Sequence, residues 1–344
     1  MMLYRILPYV LLLLLVACKP SAGLDATTVS QGFTIHTQAD TATITVYSPW
    51  QQGAVMSQLA ITQPIERVVC TSATHIGFLS ELGMLHKVVG VCRPERVYSL
   101  SPEDRLRIQD IGDDLRPNME SILLLRPDVV VLSTYAKGDM IPQQVAALGI
   151  PVLFCNEWTE ATPLARAAWI KVFGAAMGCQ SRADSIYDAV CQSYSELVSA
   201  ELHGERRSLM SGMSYRGTWY VPAGGTFMGH LFRDAGAAYQ YEDDPSTFSI
   251  PLRLEQALQD FAQADVWVGC EAWSLDELQS IDPKHTWFRS YQTQEVYNFR
   301  RRTLPSGAND FWESGVVHPE RILLDLQRIL RGDTTQLYYS LPLR

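Results

Sequence analysis

Between residues 65 and 155 the chain alternates short, unbroken apolar runs with stretches of helical spacing. Strands are predicted over 67–70, 88–92, 128–132 and 151–155. Helices are predicted around 76–82, 118–125 and 141–148. Runs of β-branched residues separated by helices indicate a parallel sheet covered on both faces. Residues 160–203 carry no strand pattern. Ser181 and Asp184 read as a capping box opening a helix, and Ile186, Ala189, Val190, Tyr194 and Leu197 give it an apolar stripe. Over 181–202 that helix would be about 33 Å long, enough to cross the molecule. The alternation then resumes, with strands at 209–214, 265–269 and 296–299 and helices at 227–234, 254–261, 275–280 and 319–330. Upstream, residues 33–47 alternate like a hairpin. The expected fold is α/β, with two parallel-sheet lobes joined by one long rigid helix.

The amino terminus changes the picture. A single positive charge, Arg5, precedes an apolar run from Val10 to Val16, which ends at Ala17-Cys18. A spanning helix needs about 20 apolar residues, so this run reads as a secretory signal. Apolar or small residues immediately before Cys18 resemble the lipobox of bacterial lipoproteins. That resemblance implies cleavage before Cys18, lipid on its sulfur, and export to a tether on the outer face of a membrane. The layout is then signal peptide 1–17, lipidated tether 18–32, first lobe 33–180, inter-lobe helix 181–203 and second lobe 204–344. The 344-residue chain is 47% hydrophobic and 19% charged, ordinary for a folded protein. Its formal charge of −9 becomes −10 once Arg5 is removed. An acidic surface argues against a nucleic-acid partner, which needs a basic patch.

Six cysteines follow Cys18, at 70, 92, 155, 179, 191 and 270, with no CxxC pair among them. A closed zinc site is therefore not indicated. Four of them end apolar runs and read as small buried hydrophobes near strand ends. A Cys70–Cys92 disulfide is compatible with export if their strands are neighbours.

The run Ile65-Glu66-Arg67-Val68-Val69-Cys70-Thr71-Ser72, a helix, Leu82-Gly83 and Val88-Val89-Gly90-Val91 resembles the opening of substrate-binding proteins that serve metal-chelate ABC importers. Asn118-Met119-Glu120-Ser121-Ile122, Leu125-Arg126-Pro127-Asp128-Val129-Val130 and Leu148-Gly149-Ile150-Pro151-Val152 are similar to that family's following segments. The resemblance covers roughly residues 60–330. It implies a ligand cleft between the lobes, and a bound iron or cobalt chelate rather than a covalent cofactor. The ferric siderophore type is favoured, with haem and cobalamin as alternatives, and no catalysis is implied. The implied partners are an ABC permease with its ATPase, docked through one surface glutamate on each lobe. Glu120 and Glu255 fall at those positions, and each lies in the first turn of a predicted helix, where a helix dipole favours an acid.

Ligands of open α/β sheets sit at the carboxyl ends of the strands. The candidates there are Arg93, Arg96, Tyr135 and Trp158 from the first lobe, and Arg216, Trp219, Phe248, Trp273 and Trp312 from the second. Aromatics suit a flat chelate and arginines an anionic one. Trp169 and Trp267 read as core, and Arg300-Arg301-Arg302 as a solvated run. Arg93, Asp113 and Asp114 stand where cobalamin binders of the family carry aromatics. For haem, His75 or a loop tyrosine is a candidate iron ligand. A metallocluster enzyme is a more distant reading, because an exported lipoprotein is a poor home for an oxygen-sensitive cluster. No GxSxG, HExxH or phosphate loop is present. A free-metal carrier needs converging ligands, and the histidines at 36, 75, 86, 203, 230, 285 and 318 show no paired spacing.

Overall fold

The computed structural model describes residues 30–200 and 205–344. The expected signal peptide, Cys18 and most of the expected tether lie outside the described residues. The first lobe is built on five parallel strands in the order Val152–Phe154, Val129–Leu132, Val68–Cys70, Val88–Val91 and Gln109–Asp110. The apolar runs that predicted the two central strands are buried along their whole length. Covering both faces of a parallel sheet leaves no polar face for alternation to mark.

The second lobe repeats the plan. Its strands run Ala238–Tyr239, Ser208–Ser211, Val266–Val268, Val296–Asn298 and Leu341–Pro342, and the last is antiparallel. Each lobe has its own apolar core. Val316 and Val317, late in the chain, nevertheless pack into the core of the first lobe.

The helix Gln180–Ser199 links the two cores. At 1.5 Å per residue its length is about 30 Å. Its buried stripe is Ala183, Tyr187, Val190 and Tyr194. The first three belong to the first core and Tyr194 to the second. The stripe is rotated from the expected one, and Ala189 faces solvent. The expected capping box is absent: the helix starts one residue earlier, after Cys179, with no side-chain cap. Close packing on the preceding helix sets this start. A Cβ on Gly174 would meet the Ala183 side chain, so only glycine admits the contact.

Two elements escaped the sequence reading. The hairpin Phe33–Gln38 and Thr41–Tyr47 gains a third strand, Val55–Ile61, and Phe33 packs edge-on against the buried Trp169 with ring centroids 5.0 Å apart. In the second lobe Ser214–Tyr215, Thr218–Pro222 and Ser249–Leu252 form a small antiparallel sheet. Among the described residues no helix is long and apolar enough to cross a membrane.

Candidate ligand site between the lobes

The strand ends of the first lobe carry an aromatic wall. Tyr135 follows the strand Val129–Leu132, and Trp158 follows Val152–Phe154 within a short 3-10 turn. Their ring centroids are 5.8 Å apart. Trp50, in the turn between the second and third strands of the amino-terminal sheet, stands 6.2 Å from Trp158 on its other side. Tyr135 is 46% exposed and Trp50 38%. The indole N–H of Trp158 is buried and donates to no partner among the described residues. Burial pushes the Tyr135 phenol up, so it is a neutral donor at physiological pH. Trp50 is a ligand-site candidate that the sequence reading missed. Its only signal was a tryptophan inside the turn-like Ser48-Pro49-Trp50-Gln51-Gln52-Gly53.

In the second lobe, Trp273 is exposed beyond the strand Val266–Val268, and the Arg300 guanidinium lies 3.9 Å from its ring centroid. Such stacking is a cation–π contact. Trp312 is half-exposed, edge-on to Phe311 at 4.9 Å. Its carbonyl accepts the Thr74 hydroxyl of the first lobe at 3.1 Å, which places Trp312 at the lobe junction. Tyr215 is exposed beneath the Arg216 guanidinium, and Phe248 is exposed just before the edge strand Ser249–Leu252.

Several expectations change. Trp219 is not a cleft residue. Strand alternation turns it inward, where it is 0% exposed, donates Nε1–H to the Ser211 carbonyl at 3.0 Å and packs on Trp267 at 5.3 Å. Its neighbour Tyr220 faces out instead. Arg93 is an exposed residue ion-paired with Asp113, so its charge is locally offset. Arg96 is exposed, and its guanidinium packs over Gly307 of the second lobe, whose φ of +84° favours glycine. The arginines of the expected solvated run also make side-chain hydrogen bonds: Arg300 donates to the Glu271 carbonyl at 2.5 Å, the exposed Arg301 to the Ser340 carbonyl at 2.9 Å and Arg302 to Asp310 at 2.6 Å. His75 is fully buried, which removes it as a haem ligand. Cys70 and Cys92 lie on adjacent strands as free thiols, and burial pushes Cys92 up to about 12.

Contacts at the base of the cleft hold the lobes together. The Glu313 carboxylate accepts from the Tyr98 and Ser99 N–H groups, and from the Ser99 hydroxyl at 2.6 Å. Arg302 lies over Tyr98 at 5.2 Å. A groove of about 410 Å³ opens between the lobes, lined by Pro94, Glu95, Arg105, Leu304, Pro305 and Ser306. No aromatic side chain lines it, so the exposed rings define the better ligand surface. Glu120 and Glu255 are exposed in the first turns of Met119–Leu125 and Leu254–Phe261. Leu123 and Leu124 are exposed on the same short helix as Glu120.

Two α/β lobes tied by one long helix, each with exposed aromatics beyond its strands, define a two-lobed solute-binding architecture. The chain belongs to the periplasmic binding protein family, which matches residues 68–298. An uncharacterized lipoprotein of Methanocaldococcus jannaschii, MJ0878, is 22% identical over 285 residues, covering 79% of this chain and 67% of that one. Among solved structures, a periplasmic haem-binding protein from Pseudomonas aeruginosa is similar with a TM-score of 0.62 at 16% identity, covering 81% of this chain and 98% of that one. The vitamin B12-binding protein BtuF of Vibrio cholerae is similar with a TM-score of 0.57 at 15% identity, covering 79% of this chain and 99% of that one.

Proposed function

We propose that this chain is the lipid-anchored, exported substrate-binding component of an ABC importer, and that it captures an iron chelate of the ferric siderophore type. The wall of Trp50, Tyr135 and Trp158 carries this reading. The rings of Trp50 and Tyr135, tilted by 54° and 31° to that of Trp158, offer apolar surface to a ligand at low entropic cost. Trp273 under Arg300 and Trp312 at the lobe junction supply the opposing face. Arg93, Arg300 and Arg302 are offset by Asp113, Glu271 and Asp310. That pairing favours a chelate of low net charge with an aromatic periphery.

The helix Gln180–Ser199 is rooted in both cores, so lobe closure on binding is modest. Glu120 and Glu255 then present one carboxylate per lobe to arginines of the permease, with its ATPase beyond. Lipid on Cys18 holds the protein at the membrane. The likeness of the chain to a lipoprotein supports the anchor.

Tryptophan fluorescence of the purified protein, titrated with ferric siderophores, haemin and cyanocobalamin, tests the reading. Saturable sub-micromolar quenching by a ferric siderophore alone is expected. Quenching by haemin or cyanocobalamin alone would move the assignment to that chelate. Silence from all three would overturn chelate capture.

A further inference from the structure

Beneath the aromatic wall lies a group of side chains that chelate binding does not use. We propose that His75, Cys155 and Glu157 form a buried binding site for a zinc-type divalent transition ion. A ring nitrogen of His75, the Cys155 Sγ and a Glu157 carboxylate oxygen all lie within 4.8 Å of one another. The residues come from three places in the fold: the first helix of the first lobe, the end of the strand Val152–Phe154 and the turn after it. Their exposures are 0%, 0% and 3%, so water does not compete for the site. Zinc takes nitrogen, sulfur and oxygen donors at about 2.0–2.3 Å, which sets tetrahedral ligands roughly 3.5 Å apart. Cys155 Sγ and Glu157 Oε2 already stand 3.5 Å apart.

The surrounding hydrogen bonds fit ligand roles. The Ser133 hydroxyl donates to the Cys155 carbonyl at 3.0 Å, and the same oxygen lies 3.0 Å from His75 Nε2. With that proton on the carbonyl, the Ser133 oxygen accepts from Nε2–H of His75. Nδ1 then holds a lone pair, and that atom is buried without a partner. Glu157 turns its other oxygen, Oε1, toward Arg166 Nη2 at 3.4 Å. A ligating carboxylate and imidazole are usually oriented by such outer partners.

Binding is an exchange without redox. The Cys155 S–H bond breaks, a sulfur–metal bond forms, and one proton leaves to solvent for each ion bound. Without an ion, the thiol donates to Glu157 and the group is only a buried hydrogen-bonded chain. Because Cys155, Glu157 and Trp158 fall within four successive residues, the ion would also fix the base of the aromatic wall.

The test is a cobalt(II) titration of the purified, reduced full chain, with zinc as competitor. The expected result is one equivalent bound, a thiolate-to-cobalt charge-transfer band in the near ultraviolet, displacement by zinc and release of one proton per ion. Cys155→Ala should abolish the band, while Cys70→Ala, which removes a buried thiol outside the cluster, should retain it. Ser133→Ala should weaken the ion by roughly tenfold or more. A folded parent protein that shows no band and no proton release would overturn the site. So would a band that survives in Cys155→Ala. The parent titration needs no variant, so a misfolded substitution cannot mask the answer.

Discussion

Glu313 of the second lobe accepts both the backbone N–H and the hydroxyl of Ser99 in the first, at 2.9 and 2.6 Å. Burial pushes the Glu313 carboxyl up to about 7, and the bonds from Ser99 and Tyr98 only partly offset it. A raised folded value means that its contribution is fully present below the ordinary carboxylate range and is lost as pH rises through about 7. His318 acts in the same direction. Burial opposes its charge, yet Glu320 at 2.8 Å and Glu81 of the first lobe at 3.2 Å hold it above its ordinary value. Its contribution is likewise present on the acid side and lost as pH climbs through that raised value. Glu313→Gln keeps an acceptor and removes the titration. Between pH 5 and pH 8 thermal unfolding should show the parent losing on the order of 2 kcal/mol of stability relative to this variant, because one of the two accepting oxygens is lost at every pH but only the parent titrates. An equal effect at both pH values would refute the coupling.

Trp158→Ala removes the middle ring of the wall. Chelate affinity should fall by roughly tenfold to a hundredfold, as for a central aromatic anchor. Trp50→Ala should weaken binding less, because it sits at one end. Far-UV circular dichroism and the unfolding midpoint should stay close to the parent for Trp50, which is partly exposed. Unchanged chelate titrations for both variants would remove the wall from the site.

Trp219 and Tyr220 are adjacent in sequence but opposite in fate. Trp219→Ala leaves a cavity among Trp267, Phe288 and His285 and should destabilise by about 3–5 kcal/mol. Tyr220→Ala should cost no more than about 0.5 kcal/mol. Denaturant unfolding of the two variants decides it. The reverse order would mean that the small antiparallel sheet is registered wrongly by one residue.

With Glu120 and Glu255 both changed to Ala, chelate binding in vitro should be retained while uptake by cells collapses. Neither side chain is part of a core, so the variant should fold as the parent does. Normal uptake would end the docking proposal.

The lobes and most of their elements were legible in the chain, and the helices Phe227–Asp234, Leu254–Phe261 and Pro319–Leu330 match their expected bounds. Period and burial explain this. A buried parallel strand must be apolar on both faces, and a surface helix must carry a stripe, so both leave local marks. The family motifs are local in the same sense. The small antiparallel sheet left a weaker mark, because Thr218–Pro222 is short and ends in proline, and its partner Ser249–Leu252 lies far along the chain. That is why Trp219 looked like a loop residue while Tyr220 was the one turned outward.

Chemistry was the least legible. Which arginines carry available charge depends on Asp113, Glu271 and Asp310, and which tryptophans meet a ligand depends on where turns arrive. Trp50 stands 108 positions before Trp158, and His75 stands 80 before Cys155. The sequence by itself determined the periodicities, and through them two covered parallel sheets and a connecting helix, because burial on a regular backbone constrains residues near one another in the chain. Only the tertiary structure decided the aromatic wall, the Glu313 strap and the His75–Cys155–Glu157 cluster. Hydrogen bonds, stacking and ligand geometry act over a few ångströms of space and leave no fixed interval along the chain.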